Sequence, residues 1–494
     1  MNRRDLLKLA PAALAAEALA RSAAFAAPAQ ITMLPGMGSG PSNQPAEHAA
    51  SSAIDLRIAP VTVELAPDRI LSTIGYNGTS PGPVLRMKEG RPTTVTVHNE
   101  TDTPEYVHWH GFLIPSSVDG SEEEETPPVP PHGSRTYSFT PTPSGSRWYH
   151  SHAMAMGDLH KGTFTGQFGF VYIEPAQNPG AYDQELFLAL RDWDPFYTTQ
   201  MVDMDEVDDP DAPKPEKPAV LNTAPNGLEV TSTTYSINDK ALGAGEPIRV
   251  RQGQRVLFHF LNASAIENRR VSLGGHKFQV IALDGNPVPT PAPVETLFLG
   301  AGERVCAIVE MNNPGVWILG EPTDLVRSAG LGVLVEYANS HQQPQWIKPA
   351  TLLWDYTRFA KPAAGPAAAD PSIQNIDMAF EKVPGGSGKF NTFTVNGKPY
   401  PHENEFVLHQ GQRYRLTMRN RTDDAHPLHM HRHQWELIDL NTKPTAGLIK
   451  DTVVVPIYGR ATVEFTANQP GLTLFHCHIQ QHMDFGFKAL FRYA

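Results

Sequence analysis

Ten of the chain's twenty histidines fall into four short groups, and one group encloses one of its two cysteines. The groups are His108-Trp109-His110, His150-Ser151-His152, His426-Pro427-Leu428-His429-Met430-His431, and His476-Cys477-His478 with His482 close behind. Neutral imidazole and thiolate are donors that copper favours, and two histidines with one cysteine form the ligand set of a blue-copper site. A lone His-x-His in a strand is a weak sign of metal. Four such groups in one chain predict a copper protein.

Strands must position these side chains, because residues i and i+2 of a strand point to the same face and each His-x-His then presents two imidazoles together. The strands belong to a threefold internal repeat. Gly90 to Asn99, Gly253 to Asn262 and Gly411 to Asn420 each span nine positions and enclose an alternating segment. His108 and His110 follow Asn99 by nine and eleven positions, and His429 and His431 follow Asn420 by the same offsets. In the middle repeat those offsets reach Val271 and Leu273. His150 and His152 follow Gly145 by five and seven positions, as His476 and His478 follow Gly471, whereas the same steps from Gly315 reach Gly320 and Pro322. The first and third repeats therefore supply two pairs each and the middle none. Two sandwiches packed face to face bring eight imidazoles into one cleft, enough for several metal ions. A thiolate site of His426, Cys477 and His482 belongs to the third repeat alone, since Glu105 and Ser151 stand at the matching positions of the first.

At 494 residues the chain has room for roughly three domains of about 150 residues. No apolar run is long enough to span a membrane. A net charge of -12, without any basic block, argues against a nucleic-acid partner. Abundant proline and glycine with short Val/Thr/Phe alternations predict an all-β protein rich in turns. Cys306, in the apolar run 305–309, is expected to be a buried free thiol, so no disulfide framework is predicted. Residues 1–26 read as a twin-arginine signal peptide, with Arg3-Arg4, an Ala/Leu-rich stretch interrupted by Glu17, and a small-x-small cleavage site at Ala24-Phe25-Ala26. This predicts export by the twin-arginine machinery to the periplasm or the medium, with no stable membrane anchor. An irregular arm over residues 27–52 leads into units at 53–178, 179–345 and 346–494, separated near 175–180 and 341–345. Residues 361–371 form a Pro/Ala-rich loop in the third unit.

From about residue 55 to the C-terminus these motifs resemble the three-domain multicopper oxidases of the laccase type. The resemblance implies three cupredoxin-like Greek-key β-sandwich domains and four copper ions. It implies a type 1 copper on His426, Cys477 and His482, and a type 2 copper on His108 and His429. Of the two type 3 coppers, one would take His110, His150 and His478, and the other His152, His431 and His476. It also implies the reaction, in which a small reducing substrate gives single electrons at the type 1 copper, Cys477 passes them on through its neighbours, and four of them reduce O₂ to two waters.

Several positions depart from common members of that family. Phe487 lies five residues beyond His482, where a weak axial methionine often sits; a missing axial donor favours Cu(I) and raises the potential. Met483 replaces a glutamate thought to relay protons in many bacterial relatives, leaving Asp119 of Ser117-Val118-Asp119-Gly120 as the candidate proton donor, against the plainer reading of Asp-Gly as a turn. Thr473 replaces a common tryptophan. Glu122 to Glu125 is expected to be a solvated loop. So is the acidic stretch Asp203 to Asp211 near Met201 and Met204, unless it attracts cationic substrates or copper ions. Phenols and aromatic amines are the expected reductants. The alternative is a cuprous or other metal-ion oxidase serving copper tolerance. Cuprous oxidases of the family place a methionine-rich insertion near the type 1 site, and the interval from His431 to His476 contains no methionine; Met154, Met156, Met201 and Met204 keep the alternative open. Copper storage without catalysis needs no thiolate flanked by cluster histidines.

Overall fold

The computed structural model describes residues 53–175, 181–199, 226–362, 370–401 and 406–494. The expected signal peptide and arm, the stretch with Met201, Met204 and Asp203 to Asp211, and most of the 175–180 and 361–371 connections lie outside these residues. Among the described residues no helix is long and apolar enough to cross a membrane, and the two helices, Asp324–Ser328 and Gln480–Asp484, are single turns. The rest is strand and turn.

Six sheets form three sandwiches of cupredoxin-like Greek-key type. In the first, the sheet containing Ala53–Ala66, Arg69–Tyr76, Thr93–Asn99 and Ser134–Phe139 faces a sheet of Leu85–Lys88, Phe168–Glu174, Gly145–Ser151 and Val107–His110. Their inner faces share one core, in which Leu56, Ile58 and Val97 meet Trp109, Tyr149 and Val171. The second and third sandwiches each pair a six-stranded with a five-stranded sheet, and their cores are continuous. Alternation fixes which residues enter: Thr93–Asn99 buries every second side chain while its others stay partly exposed.

The threefold repeat has a physical basis. Gly90, Gly253 and Gly411 all sit at positive φ (72°, 84° and 81°) in the turn that starts each repeat strand, a conformation glycine adopts without steric cost. Asn99, Asn262 and Asn420 end those strands, and each side chain staples the loop after it. Asn99 Nδ2 donates to the Thr103 and Val129 carbonyls while its Oδ1 accepts from Thr101 N. Asn262 and Asn420 make the same bonds, to Glu267, Leu299 and Ser264 and to Asp424, Val455 and Thr422. The glycine opens each strand, and the asparagine fixes where the next strand, the one carrying histidines, begins.

That next strand is Val107–His110 in the first sandwich, Arg269–Leu273 in the second and His426–Met430 in the third. Val271 and Leu273 occupy the histidine positions of the second and are core residues there. The pairing register repeats too. Val107 lies opposite Ser151 and His108 opposite His150, as Leu428 lies opposite Cys477 and His429 opposite His476.

Both cysteines are free and buried. The surroundings of Cys306 are less apolar than its sequence neighbours suggest, because His259 comes from the adjacent strand and holds Nδ1 3.1 Å from Sγ. Against the cost of burial, the Cys306 sulfur first and then Glu185, 3.0 Å from the other ring nitrogen, push the His259 pKa up to about 9.

Candidate metal centre

The eight imidazoles of the paired motifs converge between the first and third sandwiches, each at most 4% exposed. His108 and His429 hold their Nε2 atoms 3.4 Å apart. His431 Nε2 and His152 Nε2 lie 3.1 Å and 3.5 Å from His476 Nε2. His110 Nδ1, His150 Nε2 and both ring nitrogens of His478 are buried without a hydrogen bond. His108 thus meets His429, and His152 meets His431 and His476, as the resemblance implies, while His110 and His150 group with His108 and have the His478 ring centroid 5.1 Å and 5.2 Å from theirs.

Hydrogen bonds at the rear of each ring set which nitrogen faces inward. His429 Nδ1 donates to the Asp451 carbonyl at 2.7 Å, His150 Nδ1 to the Ser151 carbonyl at 2.8 Å and His476 Nδ1 to the Cys477 carbonyl at 2.8 Å. Each bond leaves Nε2 with a lone pair toward the cleft. His110 is reversed: its Nε2 donates to Asp451 Oδ1 at 3.1 Å, so Nδ1 is the free atom. Burial, helped by mutual repulsion, holds His110, His150, His152, His429 and His476 far below the ordinary histidine range and His431 at about 4. Neutral imidazoles whose lone pairs converge in a closed space have the chemistry to hold a metal.

Asp119 belongs to this centre. Its Oδ2 accepts from His431 Nδ1 at 2.8 Å and lies 3.1 Å from His108 Nδ1, and its carbonyl accepts from His108 at 3.0 Å. Burial pulls His108 down, but the Asp119 carboxylate more than offsets this and its pKa ends above the usual value. The expectation of a solvated loop for Glu122 to Glu125 is wrong at its centre. Glu122 and Glu125 are exposed, but Glu124 is 2% exposed and places Oε2 3.3 Å from His431 Nδ1, while its Oε1 accepts from Leu474 N at 3.0 Å. Glu123 pairs with Lys488 at 2.6 Å. Burial, with the Asp119 charge beside it, pushes Glu124 up to about 7. Four consecutive acids look like solvent to a sequence reader; only the fold reveals that this loop crosses from the first sandwich onto the ligand strands of the third.

The thiolate set forms a second, smaller group. Cys477 ends the strand Leu472–Cys477, and the single helical turn Gln480–Asp484 folds the chain back so that His482 returns to it. Cys477 Sγ lies 3.7 Å from His426 Nδ1 and 3.6 Å from His482 Nδ1, and the two nitrogens are 3.3 Å apart. A trigonal ion with metal–nitrogen bonds of about 2.0 Å and a metal–sulfur bond of about 2.3 Å needs separations of about 3.7 Å and about 3.5 Å. The donors present fit copper. Thr422, tied to Asn420, sits 2.6 Å from His426 Nε2 and so turns Nδ1 toward the sulfur. Phe487 is fully buried against His426, ring centroids 4.8 Å apart, and Phe393 covers His482 at 4.0 Å. In the first sandwich Ser151 Oγ donates to Glu105 Oε2 at 3.0 Å, so the corresponding place is closed by a polar lock. Thr473 is also buried and accepts from Arg432; Met483 is buried beside the helical turn.

Three multicopper oxidase family profiles match residues 58–178, 188–329 and 372–494. The chain is 30% identical over 431 residues to the multicopper oxidase MmcO of Mycobacterium tuberculosis, covering 84% of this chain and 81% of that protein. This chain belongs to the multicopper oxidase family. It is also 23% identical over 489 residues to the iron multicopper oxidase fer1 of Mycosarcoma maydis, covering 85% of this chain and 76% of that one. Its fold matches that of the laccase from Botrytis aclada with a TM-score of 0.68 at 19% identity, over 91% of this chain and 88% of the laccase. As a multicopper oxidase it is a copper-dependent oxidoreductase that uses O₂ with a reducing substrate.

The multicopper oxidase has one further acidic residue that sequence reading missed. Glu229, from the second sandwich, brings Oε2 within 3.8 Å of His482 Nε2, and Asn391 donates to its other oxygen. It lies in no histidine motif and reaches the site only through packing of the second sandwich on the third.

Proposed function

We propose that the protein is a laccase-like oxidase that takes single electrons from phenols or aromatic amines and reduces O₂ to water. The ligand sets are those the family resemblance implies: type 1 on His426, Cys477 and His482, type 2 on His108 and His429, and type 3 on His110, His150 and His478 and on His152, His431 and His476. When bound, copper supplies one-electron acceptance at the thiolate position and four-electron delivery to O₂ at the histidine centre.

The observation that carries the phenol reading is the environment of His482. Its Nδ1 faces the sulfur while Nε2 points outward to Glu229, and it is the one thiolate-site donor with measurable exposure, 5% against 0% for His426 and Cys477. A phenol losing an electron must also lose its hydroxyl proton, and Glu229 is a carboxylate at hand to accept it. Next to it, Phe390 stacks on Phe485 at 4.2 Å and meets Tyr197 at 5.2 Å, an aromatic shelf for a ring substrate. From Cys477 the covalent chain reaches His476 and His478 in one residue each way, and the His476 bond to the Cys477 carbonyl shortens the first route. On the histidine side, Asp119, Asp451 and Glu124 are the acids in contact with the cluster rings.

The metal-ion reading retains support from the same place, since Glu229 and the half-buried Asp424 place acidic groups near His482. Lys382, 2.8 Å from Asp424, offsets part of their charge. Oxygen uptake by the copper-loaded protein decides between the readings. A phenol driving faster uptake than Cu(I) or Fe(II) is expected, faster uptake with a metal ion promotes the alternative, and no uptake with any of them sinks both. Export rests on the twin-arginine pattern. Changing Arg3 and Arg4 together to lysine is expected to leave the protein in the cytoplasmic fraction, and undiminished export would remove the assignment.

A further inference from the structure

The middle sandwich contributes no histidine to either centre, yet two of its turns press on the histidine cluster. Gly302, at φ 85°, sits so close to His478 that a Cβ there would lie 2.8 Å from the ring. Two residues on, Arg304 reaches Asp451 of the third sandwich with both arms of its guanidinium, Nη1 to Oδ1 at 2.7 Å and Nη2 to Oδ2 at 2.6 Å. Asp451 in turn touches two cluster imidazoles from different sandwiches. Its Oδ1 accepts from His110 Nε2 at 3.1 Å and its carbonyl accepts from His429 Nδ1 at 2.7 Å. Asp284, also from the middle sandwich, accepts from the backbone nitrogens of Asp451 and Thr452 at 3.3 Å each and from Arg304 N at 3.0 Å. Arg147 from the first sandwich lies 3.6 Å from Asp451 Oδ2. All four charged residues are fully buried.

Such a network is a poor source of stability, because the desolvation of buried ions rivals their attraction. Its geometry has a definite effect instead. A bidentate fork fixes the carboxylate in both position and plane, and the Asp451 carboxylate and carbonyl fix the rings behind them. We propose that Arg304 is a positioning residue for the histidine cluster. Through Asp451 it selects the ring nitrogens that face the metals, Nδ1 of His110 and Nε2 of His429. The reversed orientation of His110 is the signature of this arrangement, since it meets the Asp451 carboxylate through Nε2 whereas His429 meets the Asp451 carbonyl through Nδ1. The middle sandwich then acts as the keystone of a centre to which it gives no ligand. This inference rests on the proposed copper assignment of His110 and His429.

The test uses full-length protein reconstituted with copper, comparing wild type with Arg304→Met, Arg304→Lys and Asp451→Asn. Copper per chain, copper affinity against a competing chelator, the type 2 EPR signal and the blue thiolate absorption are measured. Arg304→Met is expected to keep the blue band, which reports on the distant Cys477 set and on folding. Its affinity at the histidine centre is expected to fall about 10–100-fold, the usual effect of losing a residue that orients metal ligands, with a changed or missing type 2 signal. Arg304→Lys, which keeps the charge but not the fork, is expected to recover copper content more fully than the EPR line shape. Asp451→Asn is expected to resemble Arg304→Met. Wild-type affinity and EPR signal in Arg304→Met would overturn the proposal. So would loss of the blue band in all three variants, because the network would then be a requirement of the whole fold. A folded wild-type chain that takes no copper at the histidine centre would instead sink the copper assignment itself.

Discussion

Cys477 is enclosed on all sides, and burial pushes its thiol well above the usual range. Binding a metal there displaces a tightly held proton, so loading of this site should strengthen with rising pH. Cys477→Ser is expected to abolish the blue absorption and substrate oxidation while the eight cluster histidines still bind copper; a surviving blue band would show that another residue supplies the thiolate. Phe487 offers no donor atom where it lies against His426. Phe487→Met is therefore expected to lower the type 1 potential in a redox titration of the blue band, and an unchanged potential would remove Phe487 from the account. Glu105 gives a sign that can be checked without copper. Burial raises its pKa from 4.5 to about 7, although the bond from Ser151 opposes the shift. A carboxyl raised on folding stabilises most below its unfolded pKa, and that contribution is lost as pH rises through about 7. Relative to wild type, copper-free Glu105→Gln is therefore expected to gain stability between pH 4.5 and pH 7, by up to about 3 kcal/mol. Denaturant melts at the two pH values measure it; a constant difference would mean that the carboxyl is not protonated in the fold.

At the scale of elements, one asparagine staple recurs three times, with a threonine hydroxyl added in the first and third copies, and each copy leads into a different strand. Asn262→Ala leaves buried carbonyls of Glu267 and Leu299 without their donor and is expected to cost about 1–3 kcal/mol with no change in the blue band. Asn420→Ala is expected to cost a similar amount and also shift the band, because Asn420 holds Thr422 and Thr422 holds His426. Equal spectra for the two variants would break that link. The glycine and asparagine positions are legible in the sequence because each is a local demand of one turn or one loop. The histidine pairs are legible for the same reason, since strand alternation converts spacing into a shared face. Glu124 is not, because its burial depends on a loop of one sandwich landing on strands of another, and charge density alone points the wrong way.

Across the whole molecule, eight buried histidine rings, seven of them held neutral by burial, are packed together at a cost that metal binding offsets. Chelating the copper is expected to lower the unfolding temperature reversibly, and an unchanged temperature would mean that the cluster is fully preorganised without metal. The three-sandwich plan and both ligand sets can be read from periodicity and register. Glu229, Asp451 and Arg304 cannot, because no spacing rule connects residues that meet only where sandwiches touch. The middle sandwich illustrates the difference: its lack of histidines is plain in the sequence, while its hold on Asp451 exists only in three dimensions.

The lock between Ser151 and Glu105 carries a consequence for traffic. Ser151 stands between two cluster histidines just as Cys477 does, but it has no redox chemistry, so the basin of eight rings has a single doorway. On the proposed function, a consumer of four electrons fed through one door must admit them in single file. When oxygen is plentiful its pace is that of the queue, and a donor carrying two electrons has no advantage over two donors that carry one each.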